Sequence, residues 1–140
     1  MADIAIVYWS GTGNTEVMAN LVAEGVRGTG KDADLINAEN FSAADVARYA
    51  GFAFGCPSMG DEVLEEEVFE PMFADVERSL EGKNVGLFGS YGWGDGQWMR
   101  DWVDRCKAAG ANVIGDVIAN EYPGDAESAE CKALGAKVAA

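Results

Sequence analysis

Two hydrophobic periods alternate along the chain, and each change of period marks an element. Residues 4–8, Ile-Ala-Ile-Val-Tyr, form an unbroken apolar run of strand formers, the pattern of a strand buried on both faces of a parallel sheet. Val17, Met18, Leu21, Val22 and Val26 then recur at helical spacing on one face. Gly28-Thr29-Gly30-Lys31 breaks that pattern, and residues 33–38 read as a short strand. Residues 41–49 predict a brief helix, with Ser42 and Asp45 at capping-box spacing. Residues 51–55 are a second apolar strand run. Over 63–80 the residues Val63, Leu64, Val68, Phe69, Met72, Phe73, Val76 and Leu80 make an amphipathic pattern that Pro71 interrupts. Proline is tolerated only in a first helical turn, so the regular helix is expected to begin near residue 70. Residues 84–89 read as a strand. Trp98, Met99, Trp102, Val103 and Cys106 share one side of the next helix, and the tryptophan pair at i, i+4 reads as core. A last strand over 111–119 and a closing helix over 125–138 complete the series.

The order βαβαβαβαβα, without linker or repeat, predicts one domain over residues 1–140. Right-handed crossovers make it an α/β fold: a doubly wound, open five-stranded parallel sheet with helices on both faces. In the order 2-1-3-4-5, ligands sit beyond the carboxyl ends of the strands, near the first and third. Glycine-rich stretches follow strands one, three and four, at that same edge. A receiver domain shares this topology but needs acidic residues after strand one and a phosphorylatable aspartate after strand three. Tyr8-Trp9 and Cys56-Pro57 stand there instead.

An apolar content of 49% suits one globular core, and no apolar run reaches membrane-spanning length. The start, Met1-Ala2-Asp3, has no basic signal-peptide opening, so a cytoplasmic location is expected. Cys56, Cys106 and Cys131 lack metal or redox spacing and read as core residues. There is no histidine, which removes histidine-activated nucleophiles and the common histidine metal sites; any chemistry would fall to a cofactor. With 24 acidic against 10 basic residues the formal charge is −14. Nucleic acid and anionic membranes would be repelled, and a partner with a basic docking face would be steered in. Acidity that serves only solubility fits the composition equally.

The stretch Trp9-Ser10-Gly11-Thr12-Gly13-Asn14-Thr15 joins the first strand to the first helix. Free N–H groups at a helix start, with the helix dipole, suit a phosphate. A P-loop would need a lysine, and none precedes Lys31; a dinucleotide fingerprint would need glycine where Glu16 stands. A cup of neutral donors remains, suited to one terminal phosphomonoester as in a mononucleotide. An ordinary Gly/Ser/Thr loop before a helix stays open on this stretch alone.

Taken with Gly55-Cys56-Pro57-Ser58-Met59-Gly60-Asp61-Glu62 and Gly89-Ser90-Tyr91-Gly92-Trp93-Gly94-Asp95-Gly96, this stretch resembles the three cofactor loops of the short-chain flavodoxins, from residue 3 onward. The resemblance implies non-covalent FMN. Ser10 to Thr15 would hold its phosphate, with Trp9 also among the cofactor-binding residues and Ser58 adding a hydroxyl; many relatives carry that serine one position earlier, where Pro57 stands. Met59 would lie on the inner ring face and Trp93 on the outer. The Gly60–Asp61 peptide, in a turn over residues 59–62, would hold N5–H of the reduced ring, and Glu62 would hold N3–H. Ser90, Tyr91, Gly92 and Gly94 would line the pyrimidine edge, with Asn120 contributing from the fifth loop.

The function so implied is one-electron transfer at low potential, between semiquinone and hydroquinone, by a carrier with no substrate pocket of its own. The hydroquinone anion would form among Asp61, Glu62, Glu65, Glu66, Glu67 and Asp95. One carboxylate about 10 Å away, at an effective dielectric of ~40, disfavours it by roughly 0.8 kcal/mol, or about 35 mV. The partners would be reductases and low-potential oxidoreductases with basic docking faces, and the chain a monomer. The alternative is an FMN-dependent NAD(P)H:quinone-type reductase, which a tryptophan over the outer ring face would obstruct. A cofactor-free protein-interaction domain is a third reading, and a yellow purified protein would exclude it.

Overall fold

A computed structural model describes residues 2–140. Strands β1 (Ile4–Tyr8), β2 (Ala33–Asn37), β3 (Gly51–Gly55), β4 (Asn84–Tyr91) and β5 (Asn112–Asn120) form one sheet, all parallel, in the order β2-β1-β3-β4-β5. Helices α1 (Asn14–Arg27), α2 (Ala43–Val46), α3 (Phe69–Val76), α4 (Gln97–Ala108) and α5 (Asp125–Ala139) cover its two faces. Tyr8 pairs with both Asn37 and Gly55, so β2, β1 and β3 finish level, while β4, whose Phe88 pairs with Gly55, runs three residues further to Tyr91.

The period of two within each strand sorts residues into two cores. Ile4, Ile6 and Ala53 face α1 and α5, packing on Met18, Val22, Val26, Leu134 and Val138. Val7, Phe52 and Phe54 face the other way, onto Phe69, Phe73, Trp98 and Trp102. Both tryptophans are buried, as their spacing predicts. Arg105 joins α4 to α3, with a bidentate pair to Glu70 at 2.8 and 2.7 Å and a bond to Glu77 at 2.8 Å.

One helix face and several element ends differ from the sequence reading, the expected 41–49 helix shortening to Ala43–Val46. The buried face of α1 is Thr15, Met18, Ala19, Val22, Ala23 and Val26, with Val17 and Leu21 only partly covered. Small alanines face inward because α1 lies close on the sheet and on α5, where a Cβ at Gly135 would run into the Val22 carbonyl. β2 stops at Asn37, whose side chain accepts from Glu39 N at 3.4 Å and turns the chain. β4 continues to Tyr91, two residues past its expected end, and so carries Ser90 and Tyr91 up to the loops. α3 does begin at Phe69, with Pro71 in its first turn. Among the described residues, no helix is long and apolar enough to cross a membrane.

Candidate functional site

A cleft of about 410 Å³ opens at the carboxyl edge of the sheet, between the loops that follow β1, β3 and β4. Trp9, Gly11, Thr12 and Asn14 form one wall, Pro57, Ser58 and Met59 a second, and Ser90, Tyr91 and Gly92 a third. Among the described residues, no basic side chain lines it.

In the first loop, Trp9 N donates to Gly55 O at 3.0 Å, the last rung of the β1–β3 ladder. The chain then curls around the Ser10 hydroxyl, whose oxygen accepts from Gly13 N at 3.1 Å and Glu16 N at 3.2 Å. The backbone N–H groups of Gly11, Thr12, Asn14 and Thr15 have no acceptor among the described residues. These donors lie at the N-terminus of α1, where the helix dipole favours an anion. Ser10 and Gly13 shape this cup from within. The Thr15 hydroxyl is buried, 3.3 Å from Ser90 Oγ, and accepts from Ser90 N at 3.4 Å, so it also ties α1 to β4.

In the second loop, Cys56 N donates to Phe88 O at 3.1 Å and Ser58 N to Ser90 O at 3.0 Å. Pro57 falls between these two rungs, where the ladder with β4 needs no donor. Beyond it Met59 and Val63 pair in both directions, Met59 N to Val63 O at 2.8 Å and Val63 N to Met59 O at 2.9 Å. The turn therefore closes one residue later than the expected turn over 59–62. The reason is Glu62, which takes a left-handed φ of 56° and joins Gly60 (φ 50°) and Asp61 in a three-residue tip. Glu62 Oε1 accepts from Gly96 N at 3.2 Å and Gln97 N at 3.0 Å, capping α4. Gly94 lies directly over that carboxylate, at φ 86°.

In the third loop, Tyr91 packs on Trp98 at 5.6 Å between ring centroids, and Trp93 stands 63% exposed beside the cleft rather than in its lining. Asn120 also lies outside the lining: its Nδ2 donates to Tyr91 O at 3.3 Å, and the cleft is lined instead by Glu121. Glu121 was not legible as a site residue. Its only signal was a place directly after the last strand, where its N–H reaches Tyr91 O at 2.8 Å and its φ is 57°.

The acidic run after the turn is not uniform. Glu66 and Glu67 are exposed, whereas Glu65 is buried and so does not belong among solvated charges near a ring. Burial opposes its ionisation, yet backbone donors from Phe69, Glu67 and Val68 hold the carboxyl below the usual glutamate range. All three cysteines are free and buried. Burial pushes the Cys56 thiol up, and the thiols of Cys106 and Cys131 up to about 12, which fits core residues. Among the described residues, no cluster of three or more His, Cys, Asp or Glu could hold a metal.

Comparison with known proteins gives one consistent family. A family model described as Flavodoxin matches residues 6–135. The flavodoxin of Megasphaera elsdenii is 51% identical over 132 residues, covering 94% of this chain and 95% of its own. That of Clostridium beijerinckii is 46% identical over 135 residues, covering 96% and 97%. The solution structure of the two-electron reduced Megasphaera elsdenii flavodoxin matches with a TM-score of 0.91 at 50% identity, over 97% of this chain and 98% of that one.

Proposed function

The chain belongs to the flavodoxin family of FMN-binding electron-transfer proteins, and from that premise we propose how its own residues hold the cofactor and tune it. Bound FMN supplies reversible one-electron chemistry, and the protein is a carrier rather than an enzyme. The observation that carries the assignment of residues is the set of four unpartnered N–H groups at the start of α1, in a cleft without a basic side chain. Such a cup fits a phosphomonoester held by neutral donors, each charge-assisted bond contributing about 1.5–3 kcal/mol. Residues 10–15 hold the phosphate, with Ser58 at the cleft wall adding a hydroxyl.

Met59 and Trp93, both exposed at the cleft, bound the ring on its two faces. Glu62 has one oxygen committed to α4; the other is left for the ring's N3–H. The Gly60–Asp61 peptide, at the tip of the turn, would accept from N5–H. Asp61, Glu66, Glu67 and Asp95 raise the cost of adding an electron and so set a low potential. The same charges steer in a redox partner with a basic docking face, a reductase or a low-potential oxidoreductase. The chain acts as a monomer in the cytoplasm.

Absorbance titration of the purified apo chain with FMN and with riboflavin tests the assignment. FMN is to bind with one-to-one stoichiometry and riboflavin much more weakly, since only FMN fills the cup. Equal affinities would mean that residues 10–15 do not hold the phosphate. Rapid mixing with NADPH is to reduce the flavin only slowly; fast reduction would favour a reductase.

A further inference from the structure

Among the described residues, Glu65 is the one buried charged side chain, and neither the phosphate cup nor the ring contacts account for it. An unpaired buried carboxylate is costly, and this one is offset entirely by backbone. Oε1 accepts from Phe69 N at 2.7 Å and Val68 N at 2.8 Å, and Oε2 accepts from Glu67 N at 2.8 Å. The Glu65 carbonyl accepts from Glu70 N at 2.8 Å. Its own N–H donates to Cys56 Sγ at 3.3 Å. Cys56 is itself fixed, by its N–H to Phe88 O at 3.1 Å and by its carbonyl to Trp98 Nε1 at 3.2 Å.

The chain leaves β3 at Cys56 and returns to it at Glu65. Between them lie the second wall of the cleft (Pro57, Ser58 and Met59), the 60–62 tip, and Val63 followed by Leu64, which is buried in the core. The two feet of this loop are thus joined to each other and, through the carboxylate, to the start of α3. At the tip Glu62 is held by Gly96 N and Gln97 N, whereas Gly60 and Asp61 are exposed and an added Cβ at Gly60 would meet nothing within 4 Å. We propose that Glu65 is a positioning residue for flavin binding, which with Cys56 locks the base of the 57–64 loop so that the ring meets a preformed wall and only the exposed Gly60–Asp61 peptide is free to move. This rests on the FMN reading above. It makes the buried carboxylate a clamp on the loop, where Glu66 and Glu67 act only as charges.

The first test uses the wild-type apo chain. Amide protons of Glu67, Val68 and Phe69 are to exchange roughly ten-fold or more slowly than that of exposed Glu66; equal rates would overturn the clamp. In Glu65→Gln the side chain turns a donor NH₂ toward backbone donors, so exchange is to quicken across residues 57–69 but not in α1. FMN and riboflavin affinity are each to fall about ten-fold, the ordering of a loosened loop being added to the cost of binding. Inorganic phosphate, held mainly by the first loop with only the Ser58 hydroxyl from the second, is to weaken much less than FMN. Cys56→Ala is to act in the same direction, and the double variant is to lose less than the sum of the two. The shift is to persist at high salt, unlike that of a Glu66→Gln control. If Glu65→Gln matches Glu66→Gln, or weakens phosphate as much as FMN, Glu65 does not position the loop. A wild-type chain that fails to bind FMN would sink the flavin reading instead, leaving the exchange result to judge the clamp.

Discussion

Gly94→Ala separates two glycines that look equivalent in sequence. Gly92 and Gly94 both flank Trp93, yet a Cβ on Gly92 would meet nothing within 4 Å, whereas one on Gly94 would lie 2.5–2.8 Å from the Glu62 carboxyl group. Gly94 also sits at φ 86°, which disfavours an L side chain by about 1–2 kcal/mol. The carboxylate must then leave Gly96 N and Gln97 N, and losing a helix cap costs about 0.5–2 kcal/mol. The sum is roughly 1.5–4 kcal/mol, a sizeable share of the 5–15 kcal/mol by which a domain is typically stable. Urea unfolding of the apo chain is to show that loss for Gly94→Ala and a change within about 0.5 kcal/mol for Gly92→Ala. FMN affinity should fall in Gly94→Ala as well, because Glu62 and the Trp93 loop move together. Equal stability of the two variants would refute the reasoning, since it would mean that Glu62 does not brace this loop.

Trp93→Ala should weaken FMN by about 1–3 kcal/mol, the range for an aromatic stacked on a base, and lessen flavin-fluorescence quenching while leaving apo stability unchanged. Gly60→Ala should destabilise the apo chain by about 1–2 kcal/mol, from left-handed strain without any clash, and urea unfolding checks it; no loss would mean that Gly60 does not need its positive φ. Glu66→Gln with Glu67→Gln should raise the second potential by about 35 mV per charge and slow reaction with a basic partner, both effects shrinking with salt; an unchanged potential at low ionic strength would remove these residues from the tuning. Because the Glu65 carboxyl is held below its ordinary value, its contribution to stability is present above about pH 4.3 and lost as the pH falls through the folded value. Acid unfolding of Glu65→Gln should therefore show a shallower fall than wild type below that pH.

The strand and helix order, the doubly wound sheet and the three cleft loops were all legible in the chain, because each rests on signals between near neighbours. A continuous apolar run, a 3.6-residue recurrence, a proline confined to a first turn and clustered glycines need no knowledge of what lies opposite. The start of α3 at Phe69 and the burial of Trp98 and Trp102 follow from those signals alone. What the sequence left undecided are partnerships between loops: Glu62 with Gly96 across 34 residues, Thr15 with Ser90 across 75, Asn120 with Tyr91 across 29. Each depends on strand order and register, which place distant residues side by side at one sheet edge. The three consecutive glutamates 65–67 show the same division. As text they are one acidic run, and only the packed loop decides that Glu65 points into backbone N–H groups while its two neighbours stay in water. Local pattern dictates which element forms, and the meeting of elements dictates which side chain is a ligand contact, a clamp or a solvated charge.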